Sequence, residues 1–463
     1  MFNLNNLIIS PGGSPLIYAV DSGKYLCVSA EEAAELCRHQ AQNSWLAYYK
    51  NLKNARPELQ QFILDCLTPH NKNQKYTPFQ VSVSFLGEAK CNLRCAYCFN
   101  QDTPQNNSLP FSEKLFRKTL ERFYKQKSGW PAVDFGYAGE PLLHFTEFKQ
   151  LYAINQELAK KYKKPAATLG IMTNGLLLND NILDWLEEHN CWIGLSLDGG
   201  AELTNASRGN GVFEKALANY KNIFKRDSWI KYQRSVSATI SALNPDVYRV
   251  FCELWAEGFR QIYMKPVRAG TDSPYALKKD LLPQIQDSYK ELFALFAEEL
   301  ANERTDKICA MLNRFDYAGR FLCRIIGNSQ VTKRCGAANG TLSIRNNGDV
   351  YPCDTYAVWQ KHKLGNIYRW FSWRKNFVPS VNNIPQCRAC TYRYICSGPC
   401  RVWQEQNHGD FSFECALNKF LIEQCFQFAA ILEDHPQQKQ YLRIYIKHHL
   451  EPYTYKKDTG EKQ

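Results

Sequence analysis

The sequence predicts an α/β protein in which six strand–helix units build a parallel sheet, open or curled into a partial (β/α)6 barrel. A small α+β module precedes it and a loop-rich region follows it. Three observations predict this. From Val81 to Ala301, strand-like apolar runs alternate with amphipathic helical stretches. Ahead of them, two short β-like runs lead into helices. Beyond about residue 302 the alternation stops, and turn residues and cysteines take over.

Leu16–Val20 and Lys24–Val28 read as strands around the turn Asp21-Ser22-Gly23. Ser29 is placed to cap a helix over Glu31–His39, with Glu32 as its capping-box partner. A second helical stretch covers Asn43–Leu67, and Pro69–Pro78 is a polar linker. The six strands are Val81–Leu86, Ala132–Tyr137, Ala167–Met172, Trp192–Leu197, Val236–Ile240 and Gln261–Pro266. Helices are expected at Ser112–Lys125, Thr146–Tyr162, Asn181–His189, Val212–Lys225, Asp246–Glu257 and Leu281–Ala301. Parallel strands need such crossovers, and ligands bind sheets of this kind at the C-terminal strand ends. The expected division is 1–78, 79–302, 303–450 and a polar tail, 451–463.

Composition is that of a soluble globular chain, 44% hydrophobic and 22% charged, except for its 18 cysteines. The first residues carry no basic, apolar signal pattern, and no run approaches the roughly 18–20 apolar residues of a membrane span. The expectation is a cytoplasmic, reducing setting without membrane attachment, where thiols bind metal or catalyse. A net charge of +12 raises nucleic acid as a partner. With no long basic run and no recognition-helix pattern, that partner is not expected.

Cys91-Asn-Leu-Arg-Cys95-Ala-Tyr-Cys98 follows the first barrel strand. Three thiolates at this spacing fit three corners of an iron–sulfur cubane and leave one iron open. An open coordination position permits chemistry; a closed one stores structure or electrons. The bland readings are a zinc site lacking one ligand, or unrelated cysteines.

This motif, with Tyr97 before the last cysteine, resembles the signature of the radical SAM superfamily. The resemblance implies a partial TIM-like barrel, and a [4Fe-4S] cluster whose open iron chelates S-adenosylmethionine (SAM). Reductive cleavage of SAM would give a 5′-deoxyadenosyl radical. It also implies SAM-binding roles for segments past later strands. Gly139-Glu140-Pro141 would meet the SAM amino group, although Ala138 replaces the family's usual glycine. Thr173-Asn174-Gly175 follows strand three. Ser196-Leu-Asp198-Gly199 would contact the ribose, and Arg208 would lie near the SAM carboxylate. Each alone reads equally as a cap or turn residue.

Further on, Cys335-x12-Gly348-x4-Cys353, then Cys387-x2-Cys390-x5-Cys396-x3-Cys400, and finally Cys415 resemble the SPASM extension of radical SAM enzymes. That resemblance implies two auxiliary clusters, hence three [4Fe-4S] clusters in all. Cys387, Cys390, Cys396 and Cys415 would hold one. Cys335, Cys353 and Cys400 would hold the other, with Cys323, ahead of Cys309, as candidate fourth ligand. Zinc ribbons explain two cysteine pairs but not the rest. Asp354, directly after Cys353, is a candidate catalytic base; it reads equally as an Asx-turn residue.

Enzymes with this extension mostly oxidise peptides or proteins. The leading expectation is therefore a maturase that crosslinks side chains of a ribosomally made precursor peptide, fed electrons by a flavodoxin or ferredoxin. The N-terminal module would add the peptide's leader to an exposed strand edge, or would merely cap the barrel. The second expectation is an anaerobic sulfatase-maturing enzyme, which Tyr351-Pro-Cys353-Asp354 and Leu364-Gly-Asn-Ile367 resemble. A third, of another class, is a non-enzymatic electron-transfer or scaffold protein.

Overall fold

The computed structural model describes residues 7–9, 15–20, 23–42, 48, 52, 56–67, 80–86, 90–100, 110–126, 130–135 and 139–450. The chain forms two compact units. One comprises Met1–His70, Phe293–Gln330 and Leu421–Gln463; the other comprises Asn71–Leu292 and Val331–Phe420. The expected linker Pro69–Pro78, Ala138 and the tail beyond residue 450 lie outside the described residues.

In the first unit, β1 (Leu7–Ile9), β2 (Leu16–Ala19) and β3 (Tyr25–Cys27) form an antiparallel sheet in that order. Gly23, at φ 76°, closes the β2–β3 turn, and its N–H donates to Ala19 O at 2.8 Å. The capping box forms as expected: Glu32 N–H donates to Ser29 Oγ at 3.1 Å, and Ser29 N–H to Glu32 Oε2 at 2.8 Å. It starts α1 (Ala30–Gln42). Proline at the first position starts α2 (Pro57–Leu67), where its missing N–H costs nothing. Ala33 and Leu36 of α1 pack with Ile17, Leu59, Phe62 and Ile63 into one apolar core. Each large side chain buried there contributes about 1.5–3 kcal/mol.

The second unit is α/β, as the sequence predicts. Its parallel strands are β4 (Gln80–Leu86), β5 (Trp130–Phe135), β6 (Gly170–Thr173), β7 (Trp192–Ser196), β8 (Ser235–Ile240) and β9 (Gln261–Pro266). Helices α3 (Glu113–Tyr124), α4 (Phe145–Tyr162), α5 (Asp180–Glu188), α6 (Ala201–Arg208), α7 (Val212–Lys221) and α8 (Val247–Ala256) follow in chain order, and α9 (Leu282–Ala301) starts in this unit and belongs to the first from Phe293 onward. Ser112, Asn179 and Asp246 cap α3, α5 and α8 through side-chain oxygens.

The region expected to be loops carries the long helices Ser412–Glu433 and Pro436–Leu450, and two further features differ from expectation. The third strand starts at Gly170, not Ala167. Ala167 is instead held by a buried network: Tyr124 Oη donates to Asn155 Oδ1 (2.6 Å), Asn155 Nδ2 to Ala167 O (2.8 Å), and Ala167 N to Tyr124 Oη (2.9 Å). These bonds satisfy backbone groups that a neighbouring strand would otherwise take. The hydrogen-bonded ladder breaks between β5 and β6.

The second difference lies in the C-terminal region, which the sequence presents as loops. β10 (Thr341–Arg345) joins the barrel sheet, parallel to β4, from Thr341↔Ser82 to Arg345↔Leu86. It turns through Asn347-Gly348 into β11 (Asp349–Tyr351), which pairs with β12 (Gly365–Asn366). Gly348 sits at φ 85°, and a Cβ there would stand 2.6 Å from the Tyr368 ring. The sheet order is β12-β11-β10-β4-β5 beside β6-β7-β8-β9. Among the described residues no helix is long and apolar enough to cross a membrane.

Candidate functional site

The segments singled out past β4, β5, β6 and β7 come together, and the Cys91–Cys98 loop is fixed to them at several points. Asn174 Nδ2 donates to Asn92 Oδ1 at 2.7 Å and reaches Cys91 Sγ at 3.8 Å. Ala96 N–H donates to Ser207 O at 2.8 Å, which ties the loop to the end of α6. The Tyr97 hydroxyl donates to Asp198 Oδ2 at 2.6 Å. Burial holds the Tyr97 phenol well above its ordinary pKa, so it stays a donor.

Asp198 is the hub. It is fully buried and accepts from Tyr97, from Ser207 Oγ at 2.8 Å and from Thr239 N at 2.9 Å. It also pairs in bidentate fashion with Arg208, from Nε and Nη2, both at 2.9 Å. Burial works to lower the Arg208 pKa, but Asp198 and Tyr97 raise it more, and the guanidinium stays charged. Gly199, at φ 137°, lets the chain turn here; a Cβ would lie 2.7 Å from Leu203.

Glu140 is a second hub. Its Oε1 accepts from the Thr173 hydroxyl (2.6 Å) and Leu142 N (3.1 Å), and its Oε2 accepts from Asn174 N (2.8 Å). Burial raises its pKa, and these three donors oppose the rise. Glu140 therefore locks the end of β6 to the turn after β5, with Gly139 at φ 125° supplying the bend.

The carboxylates of Glu140 and Asp198 were expected to face a ligand. Both oxygens of each are committed to protein donors, and Arg208 commits two nitrogens to Asp198. Ser196 is half-buried at the end of β7. Sequence reasoning missed Ser207 and Thr239. Ser207 lies on α6, whose Thr-, Asn- and Ser-rich text gives no helical apolar period; the adjacent Arg208 was its one signal.

The three loop thiols fit three corners of a cubane. Burial pushes Cys95 up to about 11; Arg208 opposes this, and Asp198, Cys98 and Cys91 add to it. Cys91 Sγ also accepts Leu93 N–H at 3.4 Å, the kind of contact that tunes cluster sulfur. Among the described residues no three His, Cys, Asp or Glu side chains converge closely enough for a single metal ion. A cubane's ligands stand at its outer corners, farther apart than the thiolates of a mononuclear zinc site.

The C-terminal thiols are mostly withdrawn from water. Burial, then Cys396, Cys390 and Cys415, raise Cys387 to about 12. Burial likewise raises Cys353 to about 12, with Cys335 adding to it, and Cys400 adds to the rise at Cys335. Backbone N–H groups of Ala337, Tyr356 and Gly398 point at Cys335, Cys353 and Cys396. The β10–β11 hairpin carries Cys335 ahead of it and Cys353 behind it.

Cys323 lies in the other unit, buried on the helix Gly319–Ile326, where Cys309 and Cys425 are its thiol neighbours. Asp354 opens the short helix α10 (Asp354–Val358), and its Oδ1 accepts from Ser343 of β10.

A model of the radical SAM superfamily matches residues 89–237. A cysteine-type anaerobic sulfatase-maturating enzyme from Clostridium novyi is 28% identical over 346 residues, 69% of this chain and 87% of that protein. The radical SAM cyclopropyl synthase TigE from Paramaledivibacter caminithermalis is 22% identical over 370 residues, 75% of this chain and 74% of that protein. A solved structure of tagged anSMEcpe with bound AdoMet shares the fold. Its TM-score is 0.60 at 21% identity, over 80% of this chain and 99% of that one.

Proposed function

The chain carries a radical SAM domain and is an enzyme of oxidoreductase type, and from that premise we propose that it matures a ribosomally made precursor peptide by oxidising, and crosslinking, its side chains. The observation that carries this reading is the outer edge of β3. Ala19 N–H bonds to Lys24 O, and Val28 N–H to Pro15 O. With the register Ile17↔Leu26, the alternation of antiparallel pairs turns the N–H and C=O of Tyr25 and Cys27 away from β2, where Cys27 O accepts from Arg56 Nη2 at 3.5 Å. Beside this edge lies an open groove of about 510 Å³, lined by Leu26, Pro57, Glu58, Gln61 and Phe62. A strand edge next to an apolar groove suits an extended peptide, with main-chain bonds for affinity and a pocket for alternate side chains.

The three loop thiols would hold a [4Fe-4S] cluster, which with SAM bound would supply radical hydrogen abstraction. The chain's part is to hold that loop still. Tyr97, Ser207 and Arg208 converge on Asp198, and Glu140 fixes the adjoining turn. The seven C-terminal cysteines would hold two auxiliary clusters that accept the second electron of the oxidation. Asp354, at the helix start after Cys353, would accept the accompanying proton, with Ser343 fixing its rotamer.

A second reading, oxidation of a sulfatase Cys or Ser to formylglycine, is favoured by the similarity to the Clostridium novyi enzyme over most of that protein's length. One experiment separates them. Anaerobically reconstituted chain is incubated with SAM, a reductant, and either the short peptide encoded beside its gene or a sulfatase-derived peptide. Loss of two hydrogens from the first peptide supports the crosslinking maturase. Conversion of a thiol or hydroxyl to an aldehyde in the second, with the first unchanged, supports formylglycine formation. A chain that yields no 5′-deoxyadenosine refutes both.

A further inference from the structure

Two charged residues each stand one position ahead of a cysteine from a different auxiliary set. Arg334 precedes Cys335, and Glu414 precedes Cys415. Their side chains meet, Arg334 Nη2 to Glu414 Oε1 at 3.3 Å, with only 13% and 3% of them exposed. The other carboxylate oxygen, Oε2, accepts the backbone N–H of Cys400 at 2.9 Å. Glu414 is rooted in the four-cysteine set, yet it bonds to the backbone of the three-cysteine set.

Arg334 reaches the opposite way. Rooted beside Cys335, it meets through this pair the residue that precedes Cys415 of the four-cysteine set. In that set Cys396 Sγ accepts from Asn418 Nδ2 at 3.4 Å. A buried ion pair contributes little net stability, because desolvating two charges offsets their attraction. Stability alone does not explain a crossed pair at this place.

We propose that Arg334 and Glu414 form one shared charge element that sets the reduction potentials of both auxiliary clusters together, Arg334 raising them and Glu414 limiting the rise. The proposal rests on the reading that these cysteines hold two clusters. Its physical basis is electrostatic. One-electron reduction adds a negative charge to a cluster; a cation fixed nearby in a poorly solvated interior favours that state, and a carboxylate disfavours it. Because the pair is crossed, neither residue acts on one cluster alone. Moving the two potentials in step preserves the difference between them, and that difference decides which way an electron taken from substrate travels. Arg334 and Glu414 are positioning residues in this scheme; neither touches substrate.

The test is a redox titration of the reconstituted full-length chain, read by electron paramagnetic resonance, with iron and sulfide analysis on each sample. Arg334→Gln is expected to lower both auxiliary midpoints, changing each reduced-to-oxidised ratio about tenfold, or about 59 mV for a one-electron couple. Glu414→Gln, nearly isosteric and still able to accept from Cys400 N–H, is expected to raise both. Arg334→Lys keeps the charge and should leave both within about threefold. A shift confined to one cluster, or no shift in Glu414→Gln at full iron content, overturns the proposal. Should Arg334→Gln lose its clusters, Glu414→Gln remains decisive. A wild-type chain without two auxiliary signals overturns the two-cluster reading, and this proposal with it.

Discussion

Removing the Asp198 carboxylate leaves Arg208 buried and charged without its partner. Arg208 is 8% exposed and Asp198 fully buried, and two of the carboxylate's five accepted hydrogen bonds come from that guanidinium. Breaking a buried pair from one side costs about 3–5 kcal/mol, well above what the pair contributes when intact. Asp198→Ala should therefore destabilise the second unit by about that amount. Arg208→Met in the same chain removes the stranded charge and should restore at least about 2 kcal/mol. Tyr97→Phe deletes one donor but leaves Asp198 four others, so it should cost about 1.5 kcal/mol, the low end for a bond to a charged group. The assay is equilibrium urea unfolding of the full chain, with the three single variants and the Asp198→Ala/Arg208→Met double variant compared at one pH. Additivity of the single costs to within about 0.5 kcal/mol would refute the hub argument, since it would mean that the two residues do not act as a unit.

Other outcomes follow from the same geometry. Cys91→Ser should abolish 5′-deoxyadenosine formation in the reconstituted chain while leaving the iron of the C-terminal cysteines in place; retained activity would exclude the loop as the reactive site. Gly175→Ala puts a Cβ 2.6 Å from Leu195 Cδ1 at a position with φ 79°. It should cost about 1–3 kcal/mol in thermal or urea unfolding. In the first unit, Arg304 and Lys307 hold the largely buried Glu299 carboxyl below its ordinary pKa. Its stabilisation is present above the ordinary carboxylate pKa and is lost as pH falls through the lowered one. Glu299→Gln should therefore destabilise at neutral pH and flatten the acid limb of the stability profile, and an equal loss at every pH would contradict this. Asp354→Asn should keep SAM cleavage but lower product formation by about 10²-fold or more. Unchanged product yield would leave Asp354 a helix-start residue held by Ser343.

What was legible followed from local signals. The capping box at Ser29, the starts of α3 and α8 and the whole of β9 depend on residues within a few positions of one another, and all were readable. The two cysteine patterns were legible because cluster ligands must sit on short loops at set spacings. Long-range pairing was not. The text Thr341–Arg345 is a short polar–apolar alternation in a turn-rich region, and nothing near it says that its partner is β4. The replacement of strand by network at Ala167 depends on Tyr124 and Asn155, on two different helices. Site residues were legible by type but not by orientation. Glu140, Asp198 and Arg208 read as ligand contacts, because a charged residue at a strand end carries no mark of whether it faces outward or inward. Their protein donors, Thr173, Ser207 and Thr239 among them, come together only in the fold.

The parallel pairing of β10 with β4 also constrains how the protein is made. β4 leads directly into the Cys91–Cys98 loop, yet one side of that strand stays open until Thr341–Arg345 has left the ribosome. At about 5–20 residues per second, the nascent chain carries an unfinished sheet edge and three uncovered thiols for tens of seconds. Non-local strand pairing of this kind is slow and prone to aggregate while it waits. A chain truncated before residue 341 should therefore emerge as insoluble protein rather than as a working fragment.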